Sequence, residues 1–464
     1  MVSLIVTIIL ARLLLPEDYG VISLVTIFIT IANVFVSDGF GSALIQKKDA
    51  DEIDFSSVFY SSLVISSILY VVIFFLSDFI AKFYSEPIIG PVLKVLALKI
   101  PISAINSVQQ SYVSRNMLFR KFFVSTLFGT IISGIVGVLM AYKGFGVWAL
   151  VAQYLTNTVI DTIVLWFIVK WRPKKVFSIK KVKSLLSYGW KILIQSLLVT
   201  LYGNIRGIII GKVYSSEDLA FYTKGAYYPN LLVVNVDSAM SASLFPAMSK
   251  EQQNIEIVKK MTRKSVQLCS YMLCPLLIGF MVCSEKFVNI FLTDKWLPIL
   301  PFLHIICIAL LFRPAETSCL QSIKAVGRSD ISLKVDIPIR IVGLLLIFIS
   351  MFLGLIFVAI SEVIVALLGL FIYGIACKKY IGYKIKELFM DFFMNVLISC
   401  LMGGFVYLLG YLLNLNMFIE LIIQVSSGAI FYLMLSIFTK NQNFLYLFQF
   451  IKQNILRKKF NLLV

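Results

Sequence analysis

Long apolar runs broken by short polar corners recur from one end of the chain to the other, and the length of the runs sets the fold. A helix needs about 20 apolar residues to cross about 30 Å of hydrocarbon. On that rule the pattern predicts helices near residues 2–15, 21–45, 55–80, 91–114, 122–142, 147–169, 189–213, 219–248, 265–283, 297–323, 333–353, 355–376, 389–413 and 417–439, fourteen in all. The strict alternation of a membrane barrel is missing, so the spans are helices. The first run is short, because about 14 residues at about 1.5 Å each reach only about 21 Å. No basic lead-in or small-residue cleavage site marks it as a signal peptide. The expectation is a helix that lacks its first part.

One corner organises this pattern. In LARLLLPEDYG (Leu10 to Gly20) an apolar run ends at Arg12, and Pro16, Glu17 and Asp18 precede the next run. Proline there ends one helix, and acids favour the N-terminus of the following one. The stretch from Ile210 to Ala220 repeats the arrangement, with Lys212 followed by Glu217 and Asp218. Each corner leads into an apolar segment that carries one aspartate, Asp38 or Asp237. Six spans separate the corners, so the expectation is a duplicated protein whose halves are parallel copies related by an axis along the membrane normal.

Composition agrees with an integral membrane protein: 59% of the residues are hydrophobic and 14% charged, with a mean hydropathy of +0.93. That leaves too little polar surface for a soluble globule of this size. The net charge of +18 would suggest nucleic acid in a soluble chain. Here its distribution gives another meaning. One alternating set of loops, with the C-terminal tail, holds 29 Lys and Arg residues and the other set five, a bias that places both termini in the cytoplasm. All seven cysteines lie in apolar runs without metal-ligand spacing and read as packing residues.

The organisation expected is a first lobe over residues 1–170, a basic linker over 171–188, a second lobe over 189–380, two further helices over 381–440 and a basic tail over 441–464. In the linker, Ile179, Val182, Leu185 and Leu186 recur at helical spacing among lysines, as in an amphipathic helix held on the inner leaflet by anionic lipid. Phe444, Leu447, Phe448, Ile451 and Ile455 repeat the theme in the tail, with Lys452, Arg457, Lys458 and Lys459 supplying charge.

Charges inside spans are costly and mark function or pairing. Lys94, Lys99, Arg206, Lys224, Arg313 and Arg340 lie deep, whereas Arg12 and Lys191 are near span ends and can snorkel. The acids at similar depth are Asp38, Asp161, Asp237, Glu316, Asp336 and Glu362. Arg313 with Glu316, and Asp336 with Arg340, have the spacing of ion pairs on one helix, which leaves a structural role open for both. Lys94 and Lys99 have no acid on their own span, which also carries Ser103, Asn106, Gln109, Gln110 and Ser111. So polar a span is expected to line a wet, positive cavity that suits an anionic substrate. A phosphate diester or pyrophosphate fits, with lysine as a point charge and arginine as a fork. His304 reads first as a satisfied interior histidine and second as a proton carrier.

Catalysis finds no support. The loops on the outer side are short, no phosphate-cradling Gly-rich loop or metal motif is present, and one histidine leaves little for nucleophilic chemistry.

LARLLLPEDYG, SDGFGSALIQKKD (Ser37 to Asp49), QQSYVSRNMLFRK (Gln109 to Lys121) and GFGVWALVAQYL (Gly144 to Leu155) resemble the polysaccharide transporter family of lipid-linked oligosaccharide flippases. The likeness is to its Wzx-type and colanic-acid exporter branch, in the superfamily that also holds multidrug and toxin extruders and the lipid II flippase. The resemblance implies an all-α membrane fold, a V-shaped pair of six-helix lobes plus two helices. It also implies alternating access in a bacterial inner membrane. The substrate implied is an undecaprenyl-pyrophosphate-linked repeat unit for O-antigen, capsule or exopolysaccharide, moved from the inner to the outer leaflet, with polysaccharide polymerase machinery as a partner. Lys94, Lys99, Arg206, Lys224, Arg313 and Arg340 are then the candidates for substrate binding. No cofactor or metal is implied beyond a proton or sodium gradient, for which Asp38, Asp161 and Asp237 are the coupling candidates. The alternatives are a cation-coupled multidrug exporter, which would want acidic sites, a lipid II flippase, and a non-transporting scaffold for polysaccharide assembly.

Overall fold

The computed structural model describes residues 2–47, 49–413 and 415–449, and within them every regular element is helical. In chain order these are α1 (Val2–Leu13), α2 (Pro16–Gln46), α3 (Glu52–Tyr84), α4 (Ile89–Leu96), α5 (Lys99–Arg115), α6 (Phe119–Tyr142), α7 (Val147–Ile168), α8 (Ile179–Val213), α9 (Ser216–Lys250), α10 (Ile255–Phe287), α11 (Leu300–Leu311), α12 (Arg313–Ala325), α13 (Ser329–Ser350), α14 (Leu355–Ile381), α15 (Ile385–Leu412) and α16 (Met417–Phe438). Among the described residues, twelve helical segments are long and apolar enough to cross a membrane. The other two of the fourteen expected positions hold α1, which is short, and α13, which carries Asp330, Lys334, Asp336 and Arg340. Large apolar side chains such as Phe75, Phe167 and Phe438 stand exposed on the spans, as a lipid-facing surface requires.

The two corners are the same turn. α1 ends at Leu13 and α2 opens at Pro16; α8 ends at Val213 and α9 opens at Ser216. Pro16 sits where a helix start needs no N–H, and Glu17 and Asp18 occupy the first turn. The Leu15 N–H donates to Asp18 Oδ2 at 3.1 Å. In the second corner the Asp218 N–H donates to Ser215 Oγ at 3.0 Å, and that hydroxyl returns a bond to Asp218 Oδ2 at 2.8 Å.

The fourth span of each half, expected as one helix, is broken. α4 gives way to α5 at Ala97–Leu98, and α11 to α12 at Phe312. Pro101 and Pro314 follow the breaks. A proline in a helix supplies no N–H to the carbonyl four residues back, and its ring crowds that carbonyl. The chain tightens there into three-residue bonds, Ile100 N–H to Ala97 O at 2.9 Å and Ala315 N–H to Phe312 O at 3.2 Å.

The chain forms two compact units, residues 1–223 and 224–464, so α8 and the first turns of α9 group with the first. The reason is close packing of α8 on α2. A Cβ on Gly211 would lie 2.4 Å from Leu24 Cδ2, and one on Gly207 2.8 Å from Ile27 Cδ1. The linker does not form a separate surface helix. Residues 169–178 run without regular structure, and α8 starts at Ile179. Leu185 is buried, and with Val182 it packs onto a core that includes Phe55, Leu44 and Trp171. Ile179 and Leu186 stay exposed. Half of the apolar face expected to meet lipid therefore meets protein.

Acids at the start of α3 hold this linker in place. Asp51 caps α3 and accepts from Lys181. Glu52 pairs with Lys174, and buried Asp54 with Lys47 at 2.8 Å. Lys174 and Ser178 donate backbone N–H groups to Ser56 and Ser57 at 3.0 and 2.9 Å. The Lys181 hydrogen bond holds the Asp51 carboxyl down at about 2.

In the second unit α15 and α16 dock on α10. Arg263 grips Asp391 with two bonds of 2.7 and 3.0 Å, while Gln267 and Tyr383 donate to the same carboxylate at 2.7 and 2.9 Å. Lys286 pairs with Glu420 at 2.6 Å near the other end of α10. The tail continues as a helix over 442–449, in which Phe444 and Leu447 pack on the α10 and α15 core. Ile451, Ile455, Lys452, Arg457, Lys458 and Lys459 lie outside the described residues.

Candidate functional site

In the first unit the polar face of α5 turns inward. Asn106 and Gln109 are buried, and Gln109 donates to the Trp171 carbonyl at 3.1 Å. Lys99, at the start of α5 beyond the break, is partly buried with Nζ 5.5 Å from the centre of the Tyr154 ring. Two turns further along the same pair of helices, Asn106 Nδ2 donates to Asp161 Oδ2 at 2.6 Å. Arg206 is half-buried on α8, next to the Gly207 that meets α2. Asp38 accepts from Ser37 Oγ at 2.9 Å on α2.

Lys94 corrects the expectation of an unpaired cation. Its Nζ lies 2.8 Å from Asp78 of α3 and 5.3 Å from the Phe74 ring centre. The acid is missing from the lysine's own span but present on the neighbouring one.

The second unit is less positive than expected. Arg313 Nε lies 3.4 Å from Asp237 Oδ2 of α9 and its NH1 3.9 Å from Glu316. Thr317 donates to Asp237 at 2.5 Å, and Tyr373 of α14 donates to Asp336. Glu316 reaches into the space left by Gly369, where a Cβ would lie 2.3 Å from its Oε1. Lys224 is buried on α9, with Nζ 5.7 Å from the ring centre of Tyr227 and 5.8 Å from that of buried Trp296. Arg340 is half-buried on α13. His304 Nε2 and Ser284 Oγ share a hydrogen bond of 2.8 Å, the satisfied state expected of an interior histidine.

Two cavities open in this unit. One of 600 Å³ between α9 and α10 is bordered by Asn235, Met240, Ser243, Lys264 and Cys269. The other, of 590 Å³ among α10, α15 and α16, is walled by Met272, Leu276, Phe280, Met402 and Val425, and can hold hydrocarbon. The structure leaves Lys99, Arg206, Lys224 and Arg340 buried or half-buried and shows Lys94 and Arg313 in ion pairs. The sequence pattern missed Asp78, Thr317 and Tyr373 as partners, and it read Asn106 only as one more polar residue of its span.

Broken fourth spans, a repeated corner and charges sunk in helices define a multi-pass helical membrane protein whose chain forms two compact units. The solved lipid II flippase MurJ, in an inward closed conformation, shares this fold with a TM-score of 0.77 at 18% identity over 95% of this chain and 96% of that one. The chain belongs to the polysaccharide biosynthesis protein family, whose pattern it matches over residues 9–301. It is 25% identical over 415 residues to the teichuronic acid biosynthesis protein TuaB of Bacillus subtilis, covering 87% of this chain and 85% of that one. It is 21% identical over 331 residues to the lipopolysaccharide biosynthesis protein WzxC of Escherichia coli, covering 71% and 67%. Of these, MurJ is a flippase by name, and the family and the two relatives are named for polysaccharide, teichuronic acid and lipopolysaccharide biosynthesis.

Proposed function

We propose that the protein moves a polyprenyl-pyrophosphate-linked oligosaccharide from the inner to the outer leaflet of a bacterial inner membrane by alternating access, for O-antigen, capsule or exopolysaccharide synthesis. The observation that carries this reading is Lys99. It is a cation inside a spanning segment, and among the described residues it meets the face of a tyrosine and no carboxylate within ion-pair distance. An ammonium so placed is costly in lipid and suits an anionic group entering from a wet cavity. Lys224, Arg206 and Arg340 extend the sign. Lys94 and Arg313 add to it from within ion pairs. The apolar cavity among α10, α15 and α16 supports a substrate that carries hydrocarbon. The Lys and Arg bias supports cytoplasmic termini. Exposed Lys175, Lys180 and Lys183 beside exposed Phe177 and Ile179 support contact of the linker with anionic lipid.

The test is polymer output in a strain deleted for this gene and complemented with variants of verified membrane level. Lys99→Ala is expected to lower output about tenfold, the cost of one charge-assisted contact, with lipid-linked precursor accumulating on the inner leaflet. Lys99→Arg is expected to keep more activity than Lys99→Ala. Full complementation by Lys99→Ala, or raised resistance to cationic drugs without a change in polymer, would overturn the reading.

A further inference from the structure

We infer that the groove between α9 and α10 binds an anionic phospholipid of the inner leaflet, with the phosphate on Lys264 and an acyl chain along the groove. The α10 wall is one stripe, in which Lys264, Leu268 and Met272 recur at the four-residue spacing of a single helix face. Ala239, Met240 and Ser243 of α9 stand opposite. The space of 600 Å³ between them is open, because Ala239, Ser243 and Met272 are exposed. From Lys264 to Met272 the stripe covers eight residues, about 12 Å of helix. One leaflet offers half of about 30 Å of hydrocarbon, so the groove has the depth of an acyl chain. The apolar run predicted for α10 starts at residue 265, which leaves Lys264 at headgroup level. The Lys and Arg bias supports the cytoplasmic side for this end.

Charge decides which lipid. Near its start α10 carries Lys259, Lys260, Arg263 and Lys264, and the acids around them are shared unequally. Lys259 Nζ lies 2.9 Å from Glu387, and Arg263 is held by Asp391 and Glu387, all on the side facing α15. Lys264 meets neutral groups: its Nζ donates to Asn443 Oδ1 at 3.2 Å and lies 4.5 Å from the centre of the Tyr446 ring. Among the described residues neither Lys264 nor exposed Lys260, one turn before it, has a carboxylate within ion-pair distance. From residue 450 on the sequence adds four cations and no Asp or Glu, so it supplies no acidic side chain either. Asn443 and Tyr446, on the tail helix, steady the ammonium at the groove while leaving it protons to donate. A phosphodiester monoanion accepts one of them and brings the missing charge. A zwitterionic lipid offers the same phosphate with an ammonium of its own, which Lys260 repels. Inorganic phosphate has no chain for the groove.

The site uses none of the cations of the flippase reading and its test needs no lipid-linked sugar, so the two can fail separately. The test is native mass spectrometry of the purified full-length protein in uncharged detergent, with phosphatidylglycerol or phosphatidylcholine added, together with thermal melting. The wild type is expected to retain phosphatidylglycerol about tenfold better than phosphatidylcholine, the size of one charge-assisted contact. Lys264→Gln is expected to lose that preference while melting as the wild type does in phosphatidylcholine, and Lys264→Arg to keep it. Ala239→Phe, which fills the groove, is expected to weaken both lipids. Replacing Lys175, Lys180 and Lys183 of the linker by Gln is expected to leave the tightest-held phosphatidylglycerol in place. The site is overturned if Lys264→Gln keeps the wild-type preference, if Ala239→Phe changes neither lipid, or if the preference disappears with the linker lysines or with residues 450–464 instead. A rise in melting midpoint from inorganic phosphate equal to that from phosphatidylglycerol would leave a bare anion site and overturn it as well.

Discussion

Leu13 to Pro16 and Val213 to Ser216 turn the chain in the same way, yet the residues about one turn beyond them differ in kind. Beyond the first corner Gly20 is so tightly placed that a Cβ would come within 1.9 Å of the Ser216 carbonyl oxygen. At the same offset the second half has Ala220, fully buried. Residues related by that offset even meet, since Ser23 Oγ and Thr223 Oγ1 lie 3.4 Å apart. The contrast continues in the interior. The first unit sets the half-buried Asp161 against an amide, whereas the second pairs Arg313 with Asp237 and Glu316 and adds a Thr317 bond to Asp237. The two corners share the backbone device while the chemistry around them differs, so positions matched by the offset need not share a role.

The corner contrast breaks first at Gly20. Gly20→Ala drives a methyl group into backbone that has no rotamer to escape by, so α2 and the start of α9 must separate. Overpacking of this kind costs about 1–3 kcal/mol. The melting midpoint of the purified protein is expected to fall, and a midpoint equal to wild type would show that the crossing is loose. The interior contrast is next in size. Asp237→Asn removes the charge partner of Arg313 and weakens the Thr317 bond, expected to cost about 1 kcal/mol because Arg313 is half-exposed. Asp161→Asn keeps a hydrogen-bonding side chain against Asn106 and removes no ion-pair partner among the described residues, and is expected to cost less. Equal destabilisation by the two would erase the distinction between a carboxylate held by an ion pair and one held by an amide.

Much of this was legible before any coordinates. Hydropathy located the spans because lipid imposes length and composition together, and the Pro-Glu-Asp corner announced its turn through the N-terminal preference of those residues. Partners were harder. Lys94 and Asp78 are 16 residues apart and sit on separate helices, and Asn106 and Asp161 are 55 apart, so no local spacing joins them. The linker misled for another reason. Leu185 and Val182 show a helical stripe, and a stripe says that apolar residues share a face without saying whether lipid or Phe55 covers it. Pro101 and Pro314 were visible, but their effect as breaks depended on neighbouring helices tolerating the lost bond.

A smaller effect returns to the corners. Ala220→Gly puts into the second half the residue found in the first, without the close crossing that requires it. The expected cost is the helix penalty of glycine, about 0.5–1 kcal/mol. It is read as a slightly lower melting midpoint, and a larger drop would mean that the Ala220 methyl carries packing of its own.

The smallest effect concerns acid. Asp51 is held at about 2 in the folded chain, first by its bond to Lys181, against an ordinary value of 3.8. A carboxyl with a lowered folded value contributes its stabilisation fully above the ordinary value and loses it as the pH falls through that value toward the folded one. Docking of residues 171–178 is therefore expected to hold at neutral and mildly acid pH and to loosen between about 4 and 2. Removing the partner with Lys181→Ala withdraws that contribution at every pH above the window. Because both groups are solvent-exposed, the change is local and salt-sensitive. Hydrogen exchange over 171–178 is the measurement: Lys181→Ala is expected to raise it at neutral pH, with the peptides of α10 and α15 unmoved. If the linker exchanged equally in both proteins, its attachment would rest on the Ser56 and Ser57 bonds, the Glu52–Lys174 pair and the Trp171 packing.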